Sequence, residues 1–183
     1  MIEFILKDDN FVASLNDMLG WVRSSEVPQR PSGSPSLCDL STEHLLKRQK
    51  GEIVNKCFMS RFEHCKDYDF SEIKELSIKL YEENTGRKDG ICVPVAKTWY
   101  PPKDGYLGWH IDDPGGRIYI SYSEGDSFFK WQNPYTKKIT TSWDVPNRWS
   151  VRIFDFDEEK PMWHAVKAID LRVSVGFKFI HQH

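Results

Sequence analysis

The chain lacks a long hydrophobic run, has few cysteines and carries no excess of charge of either sign. Near the amino end the longest apolar run is Phe4-Ile5-Leu6, with Glu3 before it and Asp8 soon after. A run this short suits neither a signal peptide nor a membrane span, so no membrane partner is expected. The four cysteines, Cys38, Cys57, Cys65 and Cys92, show no CxxC spacing. A chain of 183 residues buries enough surface to do without disulfide staples. Reduced thiols in a cytoplasmic protein are therefore expected. Lys plus Arg number 25 against 27 Asp plus Glu, a net charge of −2. Residues 1–90 carry 13 basic and 16 acidic side chains, and residues 91–183 carry 12 and 11. Neither half offers a basic block as a footprint on nucleic acid, which argues against a nucleic-acid partner. No period of roughly 20–50 residues repeats, which excludes solenoids and propellers.

What is present belongs to a folded chain. Aromatic residues make up 14%, with seven Trp, too rich for disorder. One domain spanning 1–183 is expected, and its character changes near residue 90. Before that point the periodicity is helical. Phe11, Leu15, Met18, Leu19 and Val22 recur at three- and four-residue steps, with Asp9 or Asn10 as N-cap. Ile73, Leu76, Leu80 and Tyr81 do the same after Asp69 and Ser71, and Gly86 suits the stop. A shorter helix starts near Ser41. The segment 24–36 holds three prolines and five serines and reads as a loop, either a plain connection or a substrate lid.

After residue 90 the pattern is β. Eight strands are expected, near 92–99, 106–111, 117–123, 127–132, 137–143, 150–156, 162–167 and 172–180. Turn chemistry such as Asp113-Pro114-Gly115-Gly116 and Glu124-Gly125-Asp126 separates several of them. Helices first and eight short strands after predict an α+β chain that is mainly β: a jelly roll over 91–183, buttressed by the helices of 1–90.

The segment Gly108-Trp109-His110-Ile111-Asp112-Asp113 carries the chemistry. On a strand, residues i and i+2 share a face, so His110 and Asp112 point together while Ile111 points away. An imidazole beside a carboxylate is two-thirds of a facial metal triad, and His164 is the candidate third ligand. Such a triad leaves three open positions and suits non-haem Fe(II); a structural zinc site would call for more Cys or His. Eight residues after His164, Arg172 and Ser174 share one strand face while Val173, Val175 and Phe177 take the other. A planar guanidinium aimed inward matches a carboxylate, because burying it unpaired is costly. Three bland readings compete: a structural His110–Asp112 pair, a core His164 and a cross-strand salt bridge at Arg172. Trp99, Trp109 or Trp131 could line a substrate pocket. His64 with Cys57 and Cys65 fits no zinc-finger spacing, and His181 and His183 read as a frayed tail.

His110-Ile111-Asp112, then His164, then Arg172-Val173-Ser174 resembles the HxD…H…RxS pattern of Fe(II)- and 2-oxoglutarate-dependent oxygenases. Tyr100-Pro101-Pro102 and Gly105-Tyr106-Leu107-Gly108-Trp109 resemble the lead-in of prolyl-hydroxylase-like and phage-encoded members. The likeness covers roughly residues 92–180. It implies a double-stranded β-helix holding iron through His110, Asp112 and His164. It further implies 2-oxoglutarate as cosubstrate, its far carboxylate reaching Arg172 and Ser174, with a hydroxyl added by Tyr100, Thr98 or Tyr119. With dioxygen, such a dioxygenase decarboxylates 2-oxoglutarate to succinate and hydroxylates a substrate. The resemblance leaves that substrate open, whether a small molecule, a nucleotide or a protein side chain. Two departures bear on it. If the short spacing from His164 turned Arg172 outward, Arg152 would take its place. Lys178 stands where the DNA-dealkylating AlkB type carries a second Arg, which together with the net charge argues against a nucleic-acid demethylase. The remaining alternative is a non-catalytic jelly-roll binding module.

Overall fold

The structure is a computed structural model. It describes residues 1–24, 40–61, 68–88, 90–100, 105–156 and 158–180. Residues 25–36 of the expected loop 24–36, with Cys38, His64, Cys65, His181 and His183, lie outside these. In chain order the elements are β1 (Ile2–Ile5), α1 (Asp9–Ser24), α2 (Thr42–Gln49), β2 (Cys57–Phe58), β3 (Ser60–Arg61), α3 (Ser71–Thr85), β4 (Ile91–Tyr100) and β5 (Gly105–His110). There follow β6 (Gly115–Ser123), β7 (Ser127–Gln132), β8 (Ile139–Trp143), β9 (Trp149–Phe156), β10 (His164–Ala168) and β11 (Arg172–Ile180).

The chain is mainly β, and among the described residues every strand pairing is antiparallel. One sheet has the order β1-β9-β6-β11-β4-β3 and the other β2-β5-β10-β7-β8. Strands β4 to β11 are thus shared between two facing sheets, an order that fits a jelly roll. All eight strands expected after residue 90 are present, with ends moved by a few residues. The short β1, β2 and β3 carry too little pattern to be read from sequence.

Side-chain alternation divides the six-stranded sheet into two faces. Ile118 and Ile120 of β6, Val151 and Ile153 of β9, and Val173, Val175, Phe177 and Phe179 of β11 join one buried cluster. Phe11, Leu15, Met18, Leu19 and Val22 of α1, with Ile73 and Tyr81 of α3, belong to the same cluster. The intervening residues, Tyr119, Ser121, Arg152, Arg172 and Ser174, turn toward the other sheet and line a cavity there. β6, β9 and β11 therefore serve the core with one face and the cavity with the other. In the five-stranded sheet, Trp109 and Ala165 pack with Leu40 and with Leu45 of α2.

Caps close the helices. Asp8, rather than Asp9 or Asn10, accepts from the Phe11 N–H at 2.9 Å, because α1 begins one residue earlier than its apolar pattern suggests. Ser41 accepts from the His44 N–H at 3.1 Å at the start of α2. Gly86 ends α3 in a left-handed conformation at φ 69°, and its N–H donates to Glu82 O at 2.8 Å. Among the described residues no helix is long and apolar enough to cross a membrane. Cys57 and Cys92 are free thiols, and burial pushes the Cys92 thiol up to about 11.

Candidate metal centre and anion pocket

The pairing of β5 with β10 brings the two histidines together. His110 and His164, 54 residues apart in the sequence, are direct partners in that ladder, with ring centroids 4.0 Å apart. Asp112 is reached differently from the expectation. β5 ends at His110, because β10 begins at His164 directly opposite and offers no partner beyond it. Asp112 therefore lies in the turn, two residues past the strand, with Ile111 exposed. Its carboxylate is held by Tyr119, whose hydroxyl donates to Asp112 Oδ2 at 2.7 Å. His164 Nε2 lies 3.5 Å from Asp112 Oδ2, and His110 Nε2 lies 3.8 Å from Oδ1. One ligand atom from each of the three residues falls within 4.8 Å of the others.

The donor set fits a divalent first-row metal. His110 Nδ1 is 2.8 Å from Gly108 O, and His164 Nδ1 is 3.2 Å from Met162 O. A carbonyl only accepts, so each Nδ1 carries the proton and each Nε2 presents its lone pair toward Asp112. Two imidazoles and one carboxylate, each fixed by an outer hydrogen bond, form a 2-His-1-carboxylate set with one side left open. Burial, joined by the neighbouring His110, pushes His164 down to about 3, so its ring is neutral at pH 7, as a ligand must be. Burial works to raise the Asp112 carboxyl, but the two imidazoles and the Tyr119 hydroxyl more than offset it and leave it below its ordinary value.

The triad opens onto a cavity of about 150 Å3. Its aromatic and aliphatic lining includes Met59, Leu107, Phe129 and Val166, and its polar lining includes Thr98, Tyr100, Ser121, Arg152, Arg172 and Ser174. Arg172 does face inward and is buried. It is not unpaired, however. Its Nε donates to Asp144 Oδ2 at 2.7 Å and its Nη2 to Ser121 Oγ at 2.8 Å. The salt-bridge reading of Arg172 and the cavity-facing reading thus hold together, and burial of its charge does not by itself demand a ligand. Ser174 Oγ lies 3.1 Å from Ser121 Oγ.

The three hydroxyls named for the far carboxylate separate. Tyr119 is committed to Asp112. Thr98 Oγ1 donates to Ser174 O at 3.4 Å. Tyr100 is the direct β4 partner of Arg172, whose guanidinium lies 5.3 Å from the Tyr100 ring centroid. Arg152, considered only as a substitute for Arg172, is present beside it: its Nη1 donates to Asp144 Oδ1 at 2.6 Å. None of Trp99, Trp109 and Trp131 lines the cavity. Trp99 joins the helix-side cluster, Trp109 packs with Leu45 of α2 and Trp131 packs at the cluster of Phe129 and Phe154.

Asp144 escaped sequence reasoning altogether, since it follows β8 in a turn and belongs to no motif. Arg152 and Ser121 did leave a signal. Each is a polar residue beside apolar neighbours on a strand, as in Ser150-Val151-Arg152-Ile153 and Ile118-Tyr119-Ile120-Ser121.

No protein-family model matches the chain, and no curated protein does. Among solved structures, a full-length Neurospora crassa protein in complex with alpha-KG is similar at 12% identity and a TM-score of 0.49, over 100% of this chain and 76% of that one. OsALKBH1 is similar at 14% identity and a TM-score of 0.45, over 97% of this chain and 96% of that one. A cupin domain from Bordetella pertussis Tohama I is similar at 15% identity and a TM-score of 0.31, over 52% of this chain and 100% of that one. At these scores the likenesses carry no weight for fold or activity, and the side chains themselves must decide.

Proposed function

We propose that the chain is an Fe(II)- and 2-oxoglutarate-dependent dioxygenase that hydroxylates a small molecule or a protein side chain, on a jelly roll buttressed by its amino-terminal helices. One observation carries the reading: the atoms of His110, Asp112 and His164 converge within 4.8 Å at a cavity that is also lined by Arg172. When bound together, iron, 2-oxoglutarate and dioxygen supply the oxidative decarboxylation to succinate and the hydroxylation of a C–H bond.

The chain's own residues prepare the site. His110 and His164 offer Nε2 lone pairs, their Nδ1 protons tied to Gly108 O and Met162 O. Tyr119 orients Asp112. Arg172 takes the far carboxylate of the cosubstrate, with Ser174 and Tyr100 beside it. Phe129, Phe154 and Phe156 ring the buried His164 and keep water from that side. His110 and Asp112 keep side-chain exposures of 16% and 23%, against 3% for His164 and 2% for Arg172. Substrate therefore approaches over His110 and Asp112, while the cosubstrate fills the closed end. A cavity of about 150 Å3 suits a short diacid and leaves the substrate on the rim.

The test is succinate formation from 2-oxoglutarate with Fe(II) under air. Turnover is expected in the wild type and its loss in His110→Ala and Asp112→Ala; undiminished turnover in either variant rejects the assignment. An AlkB-type demethylase is the less favoured reading, since Lys178 does not line the cavity and the net charge is −2. Salt-dependent binding of single-stranded DNA would favour it.

A further inference from the structure

Two guanidiniums share one buried carboxylate behind the cavity. Asp144 leaves the five-stranded sheet at the end of β8 and enters between Arg152 of β9 and Arg172 of β11, both on the other sheet. Its side chain is 0% exposed. Oδ1 accepts from Arg152 Nη1 at 2.6 Å; Oδ2 accepts from Arg172 Nε at 2.7 Å and from Ser127 Oγ at 2.6 Å. Arg152 also pairs with Glu3 of β1, Nη2 to Oε1 at 2.8 Å, and Ser142 Oγ donates to the same Glu3 oxygen. Among the described residues the cluster holds two cations and two anions, and their charges balance.

We infer that Asp144 is a built-in counter-anion that competes with the cosubstrate for Arg172 and so sets how tightly the cavity holds a dicarboxylate. The inference rests on the reading of Arg172 as the anion anchor. Asp144 takes the Nε side of the fork, and Ser121 takes one Nη2 hydrogen. Among the described residues no hydrogen bond is made by Nη1, and in this proposal that end takes the incoming carboxylate. That carboxylate gains charge-assisted hydrogen bonds but enters a cluster already neutral, so part of the attraction of Arg172 is taken up by Asp144. Without the Asp144 charge, two buried guanidiniums face each other with Glu3 alone to balance them. An anion in the cavity then supplies the missing charge. Affinity for the anion and stability of the empty fold move in opposite directions, and the ligand rescues the fold.

Calorimetric titration with 2-oxoglutarate in the presence of Mn(II) tests this on the full chain. In Asp144→Asn the dissociation constant is expected to fall by about ten-fold, and 2-oxoglutarate should raise Tm more than in the wild type. Glu3→Gln removes the half-exposed outer partner, should fold normally, and should tighten binding by about two- to three-fold. The gain should vanish when Arg172→Gln is added to either variant. If Asp144→Asn does not fold without ligand, Glu3→Gln decides. Wild-type binding with unchanged or weaker affinity in the variants overturns the role of Asp144 alone and makes it a strut between the sheets. A wild type that binds no 2-oxoglutarate overturns the cosubstrate reading, and this one with it.

Discussion

Tyr119 and Ser121 are successive residues on the cavity face of β6, and their hydroxyls serve the two ends of the cavity. Tyr119 donates to Asp112 at 2.7 Å, and Ser121 accepts from Arg172 at 2.8 Å. Residues two apart on a strand are separated by about 7 Å. One strand face thus carries both a hydrogen bond to the Asp112 carboxylate and one to the Arg172 guanidinium. A slip of β6 by one residue would turn both hydroxyls into the apolar cluster beneath α1, so the register is fixed by burial.

Tyr119→Phe removes the hydrogen bond that orients Asp112. Outer partners of metal ligands typically contribute about 10- to 100-fold in metal affinity, and a loss in that range is expected. Titration with Co(II) measures it. Unchanged affinity would mean that Asp112 is placed by the backbone alone.

Gly176→Ala is expected to reproduce that loss from the neighbouring strand. A Cβ at Gly176 would collide with Cδ1 and Cε1 of Tyr119 and stand 3.2 Å from the Ala96 Cβ, so the ring must move. Such overpacking costs about 1–3 kcal/mol, and urea unfolding together with the Co(II) titration checks both effects. Full stability with unaltered affinity would show that the ring has room.

Stability should depend on Asp144 and on pH in a defined direction. Burial raises its carboxyl, but the charges of Arg172 and Arg152 more than offset this and hold it well below its ordinary value of 3.8. A carboxyl depressed in the folded state contributes stability above its unfolded value and loses it as pH falls toward its folded value. Breaking such a buried pair costs about 3–5 kcal/mol. Asp144→Asn should therefore be less stable than the wild type by about that amount from pH 5 to 8, and the gap should narrow below about pH 4. Urea unfolding at about pH 7 and about pH 3.5 measures the gap; a gap that widens in acid contradicts the pairing.

Leu15→Ala tests whether α1 is part of the core. Leu15 is 0% exposed within the cluster shared by α1, α3 and the six-stranded sheet. The substitution should cost about 2–5 kcal/mol in urea unfolding. A cost below about 1 kcal/mol would mean that the helix packs loosely and the site region stands without it.

Much of this was legible in the sequence for a physical reason. β6, β9 and β11 announce themselves because they are apolar on the helix side and carry polar residues on the cavity side, as in Arg172-Val173-Ser174-Val175. The five apolar positions of α1 are all buried for the same reason. His110 and His164 were legible as a pair because the motif order placed them, although only the β5–β10 register explains how they meet. Asp112 was expected on the strand and sits beyond its end, since strand ends depend on where the partner begins. The Asp144 cluster was hidden because it joins separate elements through side chains alone. No periodicity records which charges a fold will bring into contact.

The most direct measurement of the central claim is equilibrium binding of Fe(II), or of Co(II) as its spectroscopic substitute, to the wild type and to His164→Ala. One ion per chain is expected, with binding lost in His164→Ala and in Asp112→Ala. Undiminished binding in His164→Ala, or none in the wild type, would contradict a centre built from His110, Asp112 and His164.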